Sequence, residues 1–262
     1  MVHSVRLESE CASAHVGSNP TSSATKVREL FLILVCVIIY SVEKNTIIVS
    51  DLHLTPKFDQ KKFNYLQNLF QSADKLIING DFWSYYYCDF VDFLDSEWQK
   101  LFPIMLDKAC VYIHGNHDRK EWCDENTRLF SVETHESYSF KQNGITFNVQ
   151  HGHLISKMSV KNNSLIKTIK KYHLDKFNYA IHNLVINELG NKIYSKIGLP
   201  LNKWYKKYLK KYIPNGEFLI CGHSHSPEES LQKRYLNTGF INYGYSSYLQ
   251  INGHISLVKE NY

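Results

Sequence analysis

The chain has 262 residues, a net charge of +5 and a hydrophobic fraction of 44%. These values exclude a wholly disordered chain and a small domain that depends on disulfide bonds, because the length supports a substantial core. None of the six cysteines forms a CxxC pair. We therefore expect reduced, mostly buried thiols and a cytoplasmic protein, with peripheral membrane contact as the alternative.

Residues 1–44 differ from the rest of the chain, and we expect a disordered extension or a gene start placed too early. They are rich in serine, and Gly17 to Pro20 matches the translation of a common T-arm sequence of transfer RNA. The apolar run from Leu30 to Tyr40 is too short to span a bilayer as a helix. We expect it to be a buried strand or short helix, with a weak membrane anchor as the alternative.

From residue 45 onward, five apolar segments typical of buried strands are each followed at once by polar residues. The segments are 46–50, 76–79, 110–114, 146–150 and 218–221. The groups that follow them are Asp51-Leu52-His53, Gly80-Asp81, Gly115-Asn116-His117-Asp118, His151-Gly152-His153 and Gly222-His223-Ser224-His225. Because strand ends converge in sheet-based α/β folds, we expect these groups to meet at one site.

The donor atoms of these groups indicate a divalent metal site. Oxygen from Asp and Asn together with nitrogen from His suits manganese, iron and zinc, and manganese is the ion we expect. No cysteine lies in the five groups, which excludes a structural thiolate zinc site there. Side chains two apart on an extended chain point the same way, so Asp51 and His53 can reach one cation.

With these five groups in this order, the sequence resembles the calcineurin-like metallophosphoesterases from Ile47 to the carboxyl end. The pattern of that family is D-x-H, G-D, G-N-H-[DE], H and G-H-x-H. The resemblance implies an α/β (α+β) fold over residues 45–262. Its architecture would be a four-layered αββα sandwich of two mixed sheets flanked by helices.

The resemblance also implies two divalent metal ions and a role for each site residue. The first ion would be bound by Asp51, His53, Asp81 and His225. The second would be bound by Asp81, Asn116, His151 and His223, with Asp81 as the bridge. A hydroxide activated by both metals would attack phosphorus, while His117 protonates the leaving oxygen or stabilises the transition state, with its ring oriented by Asp118. We interpret His153 as a satisfied structural histidine.

Residues 155–214 are expected to form a helical, basic cap, since thirteen lysines stand against two acidic residues between Leu154 and Gly216. Helical periodicity marks Asp175–Leu189 and Leu201–Tyr212, and the second mixes lysines with aromatic residues. This cap is similar to that of UDP-2,3-diacylglucosamine pyrophosphatases, although those enzymes typically have Arg where this chain has His117. The expected partners are a phosphorylated small molecule or a lipid-linked nucleotide, with membrane-surface contact through the cap.

The expected function is thus that of a dinuclear phosphatase, phosphodiesterase or pyrophosphatase. One alternative is a nuclease-type phosphodiesterase, because the basic cap could hold a nucleic-acid strand. The other is a catalytically silent scaffold, although every expected ligand position is filled. At the carboxyl end, Ser247–Gln250 and His254–Lys259 flank Asn252-Gly253 and predict a hairpin that completes a sheet, with an exposed His254.

Overall fold

A computed structural model of the chain describes residues 44–156 and 196–262. The predictions for the run from Leu30 to Tyr40, for the rest of the extension and for a helix at Asp175–Leu189 lie outside these described residues. Within the two described ranges, no helix is long and apolar enough to cross a membrane.

Twelve strands and five α-helices are present in the described ranges. In chain order the strands are β1 (Thr46–Val49), β2 (Lys75–Asn79), β3 (Val111–Ile113), β4 (Glu133–His135), β5 (Tyr138–Gln142), β6 (Ile145–Val149), β7 (Phe218–Cys221), β8 (Glu228–Ser230), β9 (Tyr235–Asn237), β10 (Ile241–Asn242), β11 (Tyr245–Asn252) and β12 (His254–Asn261). The helices are α1 (Gln60–Gln71), α2 (Phe90–Leu94), α3 (Phe102–Asp107), α4 (His153–Ser156) and α5 (Leu199–Tyr212). Short 3-10 turns lie at Glu97–Leu101, Lys120–Trp122, Glu125–Leu129 and Leu231–Lys233.

Two mixed sheets form, as expected. The first has the order β10-β11-β1-β2-β3-β4, with β12 paired to β11, and the second has the order β5-β6-β7-β9-β8. Strands β1 to β4 run parallel to their neighbours, whereas β11 pairs with β1 in the antiparallel direction. In the second sheet β6, β7 and β9 are parallel, and β5 and β8 are antiparallel edge strands.

The layers follow from the alternation of side chains along the strands. In β1, Ile48 faces one core, which contains apolar side chains of both sheets such as Phe147 and Ile220. Ile47 and Val49 face the opposite way, into a core that they share with helix residues. Because neighbouring side chains of a strand point to opposite faces, the first sheet is covered on both sides. The four-layered αββα architecture is confirmed.

Helix α5 forms the layer on the outer face of the second sheet. It confirms the helix expected at Leu201–Tyr212, and its Tyr205 and Leu209 pack against Leu219 and Cys221 of β7 and Tyr235 of β9. This part of the expected cap therefore packs directly on a sheet. Most of the remaining cap falls in residues 157–195, which are outside the described part of the chain.

Helix α1, which the sequence patterns left unpredicted, begins after an Asp59 cap. The Asp59 carboxylate accepts a hydrogen bond from the amide of Lys62, which satisfies one of the free amides of the first turn. Phe63, Leu66 and Phe70 are spaced by three and four residues and are buried. Their burial fixes the helix on the first sheet, close to the loop that follows β1.

The predicted hairpin and the expected thiols are also found. Strands β11 and β12 are longer than expected, and they pair along their full length around Gly253, with His254 exposed. Four cysteines lie in the described residues and all are free. Cys88, Cys110 and Cys221 are buried, and Cys123 is half-buried.

Candidate metal centre

The seven expected metal ligands converge where five strands end. The loops after β1, β2 and β3, which are parallel neighbours in the first sheet, carry Asp51, His53, Asp81 and Asn116. The loops after β6 and β7, which are parallel neighbours in the second sheet, carry His151, His223 and His225. The two packed sheets therefore supply the site from both sides.

Five of these residues have a left-handed backbone, although none is glycine. The φ angle is 55° at Asp51, 47° at His53, 54° at Asp81, 63° at His223 and 53° at His225. This conformation costs an L-amino acid roughly 1–2 kcal/mol, and such strain concentrates at functional sites where the surroundings enforce it. The sharp turns point donor side chains at a common centre.

Asp81 lies between the two halves of the site. Its Oδ2 is 3.2 Å from Nε2 of His151 in the second sheet and 3.8 Å from Nε2 of His53 in the first. Its Oδ1 accepts a hydrogen bond of 2.8 Å from the amide of His117. One carboxylate oxygen is thus held by the protein backbone, and the other faces the histidine nitrogens.

Asp51 has the same division of its two oxygens. Its Oδ2 accepts hydrogen bonds from the Ser50 hydroxyl and from the amide of His223. Its Oδ1 lies 3.1 Å from Nε2 of His225 and 3.9 Å from Nε2 of both His53 and His151. Among the described residues no group donates to this buried Oδ1 with hydrogen-bond geometry.

His151 is held so that one ring nitrogen faces the centre. Its Nδ1 lies 2.8 Å from the carbonyl oxygen of Asn79, and its Nε2 lies 3.2 Å from Oδ1 of Asn116. When Nδ1 donates to the carbonyl, Nε2 presents a lone pair, as in a metal-ligating histidine. Gly80 makes room for this ring, since a Cβ there would come within 2.5 Å of it.

The ionisable groups at the centre depend on one another. Burial by itself raises the pKa of Asp51, but His151 and His225 outweigh it and lower that pKa to about 2. Burial is likewise outweighed at Asp81, where His151 and His117 hold the carboxyl pKa well below its usual value. Burial opposes protonation of His151, yet Asp81 and Asp51 raise its pKa to about 10. The two buried carboxylates are stabilised by positive charge between them. Either a protonated histidine or a divalent cation can supply that charge.

The arrangement fits divalent cations by its donors as well as by its charge. Three groups have ligand atoms within 4.8 Å of one another, and each pair of neighbouring groups shares a residue. They are Asp51 with His53 and His225, His53 with Asp81 and His117, and Asp81 with His151 and His223. Nε2 of His223 is buried and has no hydrogen-bond partner within the described ranges. A metal ion binds buried nitrogen and oxygen atoms whose lone pairs are not already engaged in hydrogen bonds.

His117 lies beside these ligands, and its ring is held by a residue that the sequence patterns did not single out. Nδ1 of His117 is 2.9 Å from Oγ of Ser84. Its ring meets the ring of His53 edge-on, with 4.4 Å between centroids. Burial lowers the pKa of His117, and the charge of Asp81 opposes that change only in part.

The structure differs from the expectation at Asp118. Its carboxylate accepts hydrogen bonds from the backbone amides of Asp81, Phe82 and Gly115, so it holds two ligand loops together and does not orient the His117 ring. Burial, with the charge of Asp81, raises the pKa of Asp118 to about 7. The three amide donors favour its ionised form.

His153 also differs from the expectation, because it is buried without being satisfied. It is 4% exposed, and its Nδ1 has no hydrogen-bond partner in the described part of the chain. Burial and the neighbouring His151 lower its pKa to about 3. Its ring centroid is 5.6 Å from that of His151, so it lies just outside the ligand set.

Comparison with known proteins gives one family. A model of the calcineurin-like phosphoesterases matches residues 44–227, which is more than two thirds of the chain. No curated protein matches.

Several solved structures are similar at low identity. Vps29 from Entamoeba histolytica in complex with Zn²⁺ has 11% identity and a TM-score of 0.41, over 83% of this chain and 98% of that chain. A novel archaeal phosphodiesterase has 14% identity and a TM-score of 0.42, over 82% and 99%. Yfce, a phosphoesterase from E. coli, has 14% identity and a TM-score of 0.40, over 79% and 87%. The family model, which matches the region that contains all seven candidate ligands, shows that the chain belongs to the calcineurin-like phosphoesterases.

Proposed function

We propose that the chain hydrolyses phosphoesters or pyrophosphates at a centre of two divalent cations. The observation that carries this proposal is the position of Asp81, which belongs to two of the three candidate metal groups. A carboxylate shared in this way suits a bridge between two ions, which in two-metal sites lie about 3.5–4 Å apart. Membership of a phosphoesterase family supports the same conclusion.

Asp51, His53, Asp81 and His225 would hold the first ion, and Asp81, Asn116, His151 and His223 the second. When bound, such ions act as Lewis acids on phosphoryl oxygens and make water nucleophilic at neutral pH. The mixture of carboxylate, amide and imidazole donors is compatible with manganese, iron or zinc. We propose manganese, because several of the donors are oxygen atoms.

His117 is proposed to act on the leaving oxygen. If the Ser84 hydroxyl donates to Nδ1, the ring proton is at Nε2, and that N–H can donate to an oxygen of the substrate. Burial of the ring strengthens such a hydrogen bond, since competing water is excluded. Asp118 contributes differently, because its three backbone contacts fix the loop of Asp81 against the loop of His117.

The proposed substrate is a phosphorylated small molecule or a lipid-linked nucleotide. Helix α5 supports an anionic partner, since Lys203, Lys207 and Lys210 are exposed on it. The exposed Trp204 beside them is 61% accessible, and Lys with Trp suits an interfacial surface. Contact of this helix with a membrane stays a prediction, as does a cytoplasmic location.

The test compares 4-nitrophenyl phosphate with bis(4-nitrophenyl) phosphate, each with manganese and with chelator. We expect manganese-dependent hydrolysis by the wild-type chain and loss of it in Asp81→Asn, which keeps the shape of the side chain and removes its charge. Metal content is measured on both proteins by mass spectrometry. Bound metal without hydrolysis of either ester would favour the scaffold alternative. Faster cleavage of oligonucleotides than of either ester would favour the nuclease alternative.

A further inference from the structure

A cavity of about 850 Å³ adjoins the metal centre on the side of the first sheet. It lies between the loop after β1 and the first turn of α1. His53, a candidate metal ligand, forms part of its wall, together with Lys62, Tyr87 and Trp98. This volume is in the range of small-molecule sites. A molecule bound there would contact His53, which belongs to two of the candidate metal groups.

Lys62 is the unusual member of this wall. The residue is 3% exposed, and its Nζ donates a hydrogen bond of 2.6 Å to the carbonyl oxygen of Leu52. Among the described residues this carbonyl is its one acceptor, and no carboxylate is within ion-pair distance of it. Buried lysines are almost always paired, because an ammonium ion buried without a counter-charge is costly.

The other residues around the cavity compensate this charge only in part. Asp59 is the one acidic residue in the wall, and its carboxylate accepts the amide of Lys62 as the helix cap. Lys57 and Lys61 add two exposed cations. Trp98 is held by a hydrogen bond of 2.7 Å from its Nε1 to the carbonyl of Thr55. The cavity therefore combines fixed aromatic surface with excess positive charge.

We propose that this cavity is a substrate subsite in which Lys62 binds a second anionic group, a phosphate or a carboxylate, of the phosphoester. The inference rests on the proposed function, since it places the scissile phosphate at the metal centre. The Leu52 carbonyl accepts one of the three hydrogens of the Lys62 ammonium, and among the described residues no second acceptor takes the other two. The preferred substrates then carry a negative charge beyond the phosphate that is cleaved.

The electrostatics of Lys62 agree with this assignment. Burial lowers the pKa of Lys62 to about 7, and Asp59 opposes that change only in part. An anion bound in the cavity would stabilise the charged form of Lys62 and offset the free-energy cost of burying its ammonium. An ion-paired hydrogen bond of this kind contributes about 1.5–3 kcal/mol, which corresponds to roughly tenfold to a hundredfold in affinity.

A purely architectural role for Lys62 makes a different prediction. If its ammonium only holds the Leu52 carbonyl, and with it the loop of Asp51 and His53, then replacing it weakens all ligands equally. To separate the two roles, we compare the affinities of two ligands that differ only in the second anionic group. Replacing Lys62 changes the ratio of these affinities if Lys62 binds that group, and leaves the ratio unchanged if its role is architectural.

The experiment uses the manganese-loaded chain and non-hydrolysable phosphonates. Binding of phenylphosphonate, 4-carboxyphenylphosphonate and 1,4-phenylenebisphosphonate is measured by calorimetry. We expect the wild type to bind at least one of the two doubly anionic ligands tenfold or more tightly than phenylphosphonate. The two ligands distinguish a carboxylate subsite from a phosphate subsite. Lys62→Met should reduce the advantage to less than threefold, and Lys233→Met, which removes an exposed lysine outside the cavity, should retain it.

Lys62→Gln serves as a second variant, because it keeps a donor for the Leu52 carbonyl and removes the charge. Equal binding of all three ligands by the wild type would overturn the proposal, and so would an advantage that survives in both Lys62 variants. Hydrolysis of phenyl phosphate, measured separately, tests the proposed function. A chain that shows the Lys62-dependent advantage without hydrolysis has the subsite and lacks the activity. A chain that hydrolyses the ester without the advantage has the activity and lacks the subsite.

Discussion

Oγ of Ser84 lies 2.9 Å from Nδ1 of His117, although 33 residues separate them in the chain. This contact positions the ring that we propose acts on the leaving oxygen.

Ser84→Ala should therefore lower kcat by about tenfold to a hundredfold, as small misplacements of a catalytic group do. Metal content should stay unchanged, because Ser84 contacts none of the proposed ligands. Ser96→Ala is the matched control, since it removes another buried serine hydroxyl that bonds only a backbone carbonyl. Equal kcat in Ser84→Ala and Ser96→Ala would remove Ser84 from the mechanism.

His117→Ala should retain bound metal and lose most of its turnover. A positioned acid contributes about 10²–10⁴-fold to a rate, so we expect a loss of that size in kcat. Steady-state kinetics and metal analysis on the same preparation check both parts. Wild-type activity in this variant would show that the assigned role is wrong. Loss of metal would instead indicate that His117 is a ligand, as its place in one of the candidate groups allows.

Gly115→Ala should weaken metal binding because the added methyl group collides with Asp81, and not because the backbone is strained. A Cβ at this position would come within 2.1 Å of Oδ1 of Asp81 and 2.5 Å of its backbone nitrogen. Overpacking of this kind typically costs about 1–3 kcal/mol of stability, and here it displaces the shared carboxylate. We expect a loss of metal affinity of about tenfold or more, as when a partner of a metal ligand is disturbed. Gly144→Ala is the control for backbone strain alone, because the φ of Gly144 is 78° and nothing lies within 4 Å of its added Cβ. Calorimetric titration with manganese measures both variants, and equal affinities would contradict the prediction.

The buried ammonium of Lys62 predicts a pH-dependent stability. Its folded-state pKa of about 7 is below the ordinary value of 10.5, so between these values the unfolded chain binds more protons than the folded chain. The stability of the wild type relative to Lys62→Met should therefore rise with pH, by about 1.4 kcal/mol per unit, and be constant below pH 7. Denaturant unfolding of both proteins between pH 6 and pH 10 measures this difference. A constant difference over the whole range would mean that the Lys62 ammonium is solvated in the folded state.

The places of the candidate ligands at the strand ends could be predicted from the sequence because each is a local pattern. An apolar strand followed at once by Asp, Asn or His places the donor at the end of the sheet, and this held for Asp51, Asp81 and His151. Parallel pairing then brings strand ends together whatever their separation in the chain. The role that the family resemblance implies for Asp118 differs from the structure, because its carboxylate accepts hydrogen bonds from the amides of two loops and the His117 ring contacts Ser84.

The contacts around the ligands could not be read from sequence patterns. Ser84 lies within the aromatic stretch Phe82–Tyr87 and has no signal of its own, and its partner is set by how two loops pack. Lys62 occupies the first turn of α1, where a lysine normally faces solvent. It is buried because the loop after β1 crosses the start of the helix and offers the Leu52 carbonyl. Such features depend on distances between segments, which residue periodicity does not encode.

The position of β1 in the first sheet has a consequence for how the protein is made. One neighbour of β1 is β2, close behind it in the chain, and the other is β11, whose Ile251 pairs with Thr46. During synthesis β1 therefore remains an open sheet edge until about 200 further residues have been added. Such distant pairing slows folding and leaves the nascent chain prone to aggregation. The pairing of β1 is thus completed late, so a growing chain can fix Asp51, a candidate metal ligand, in its final position only after β11 has been made.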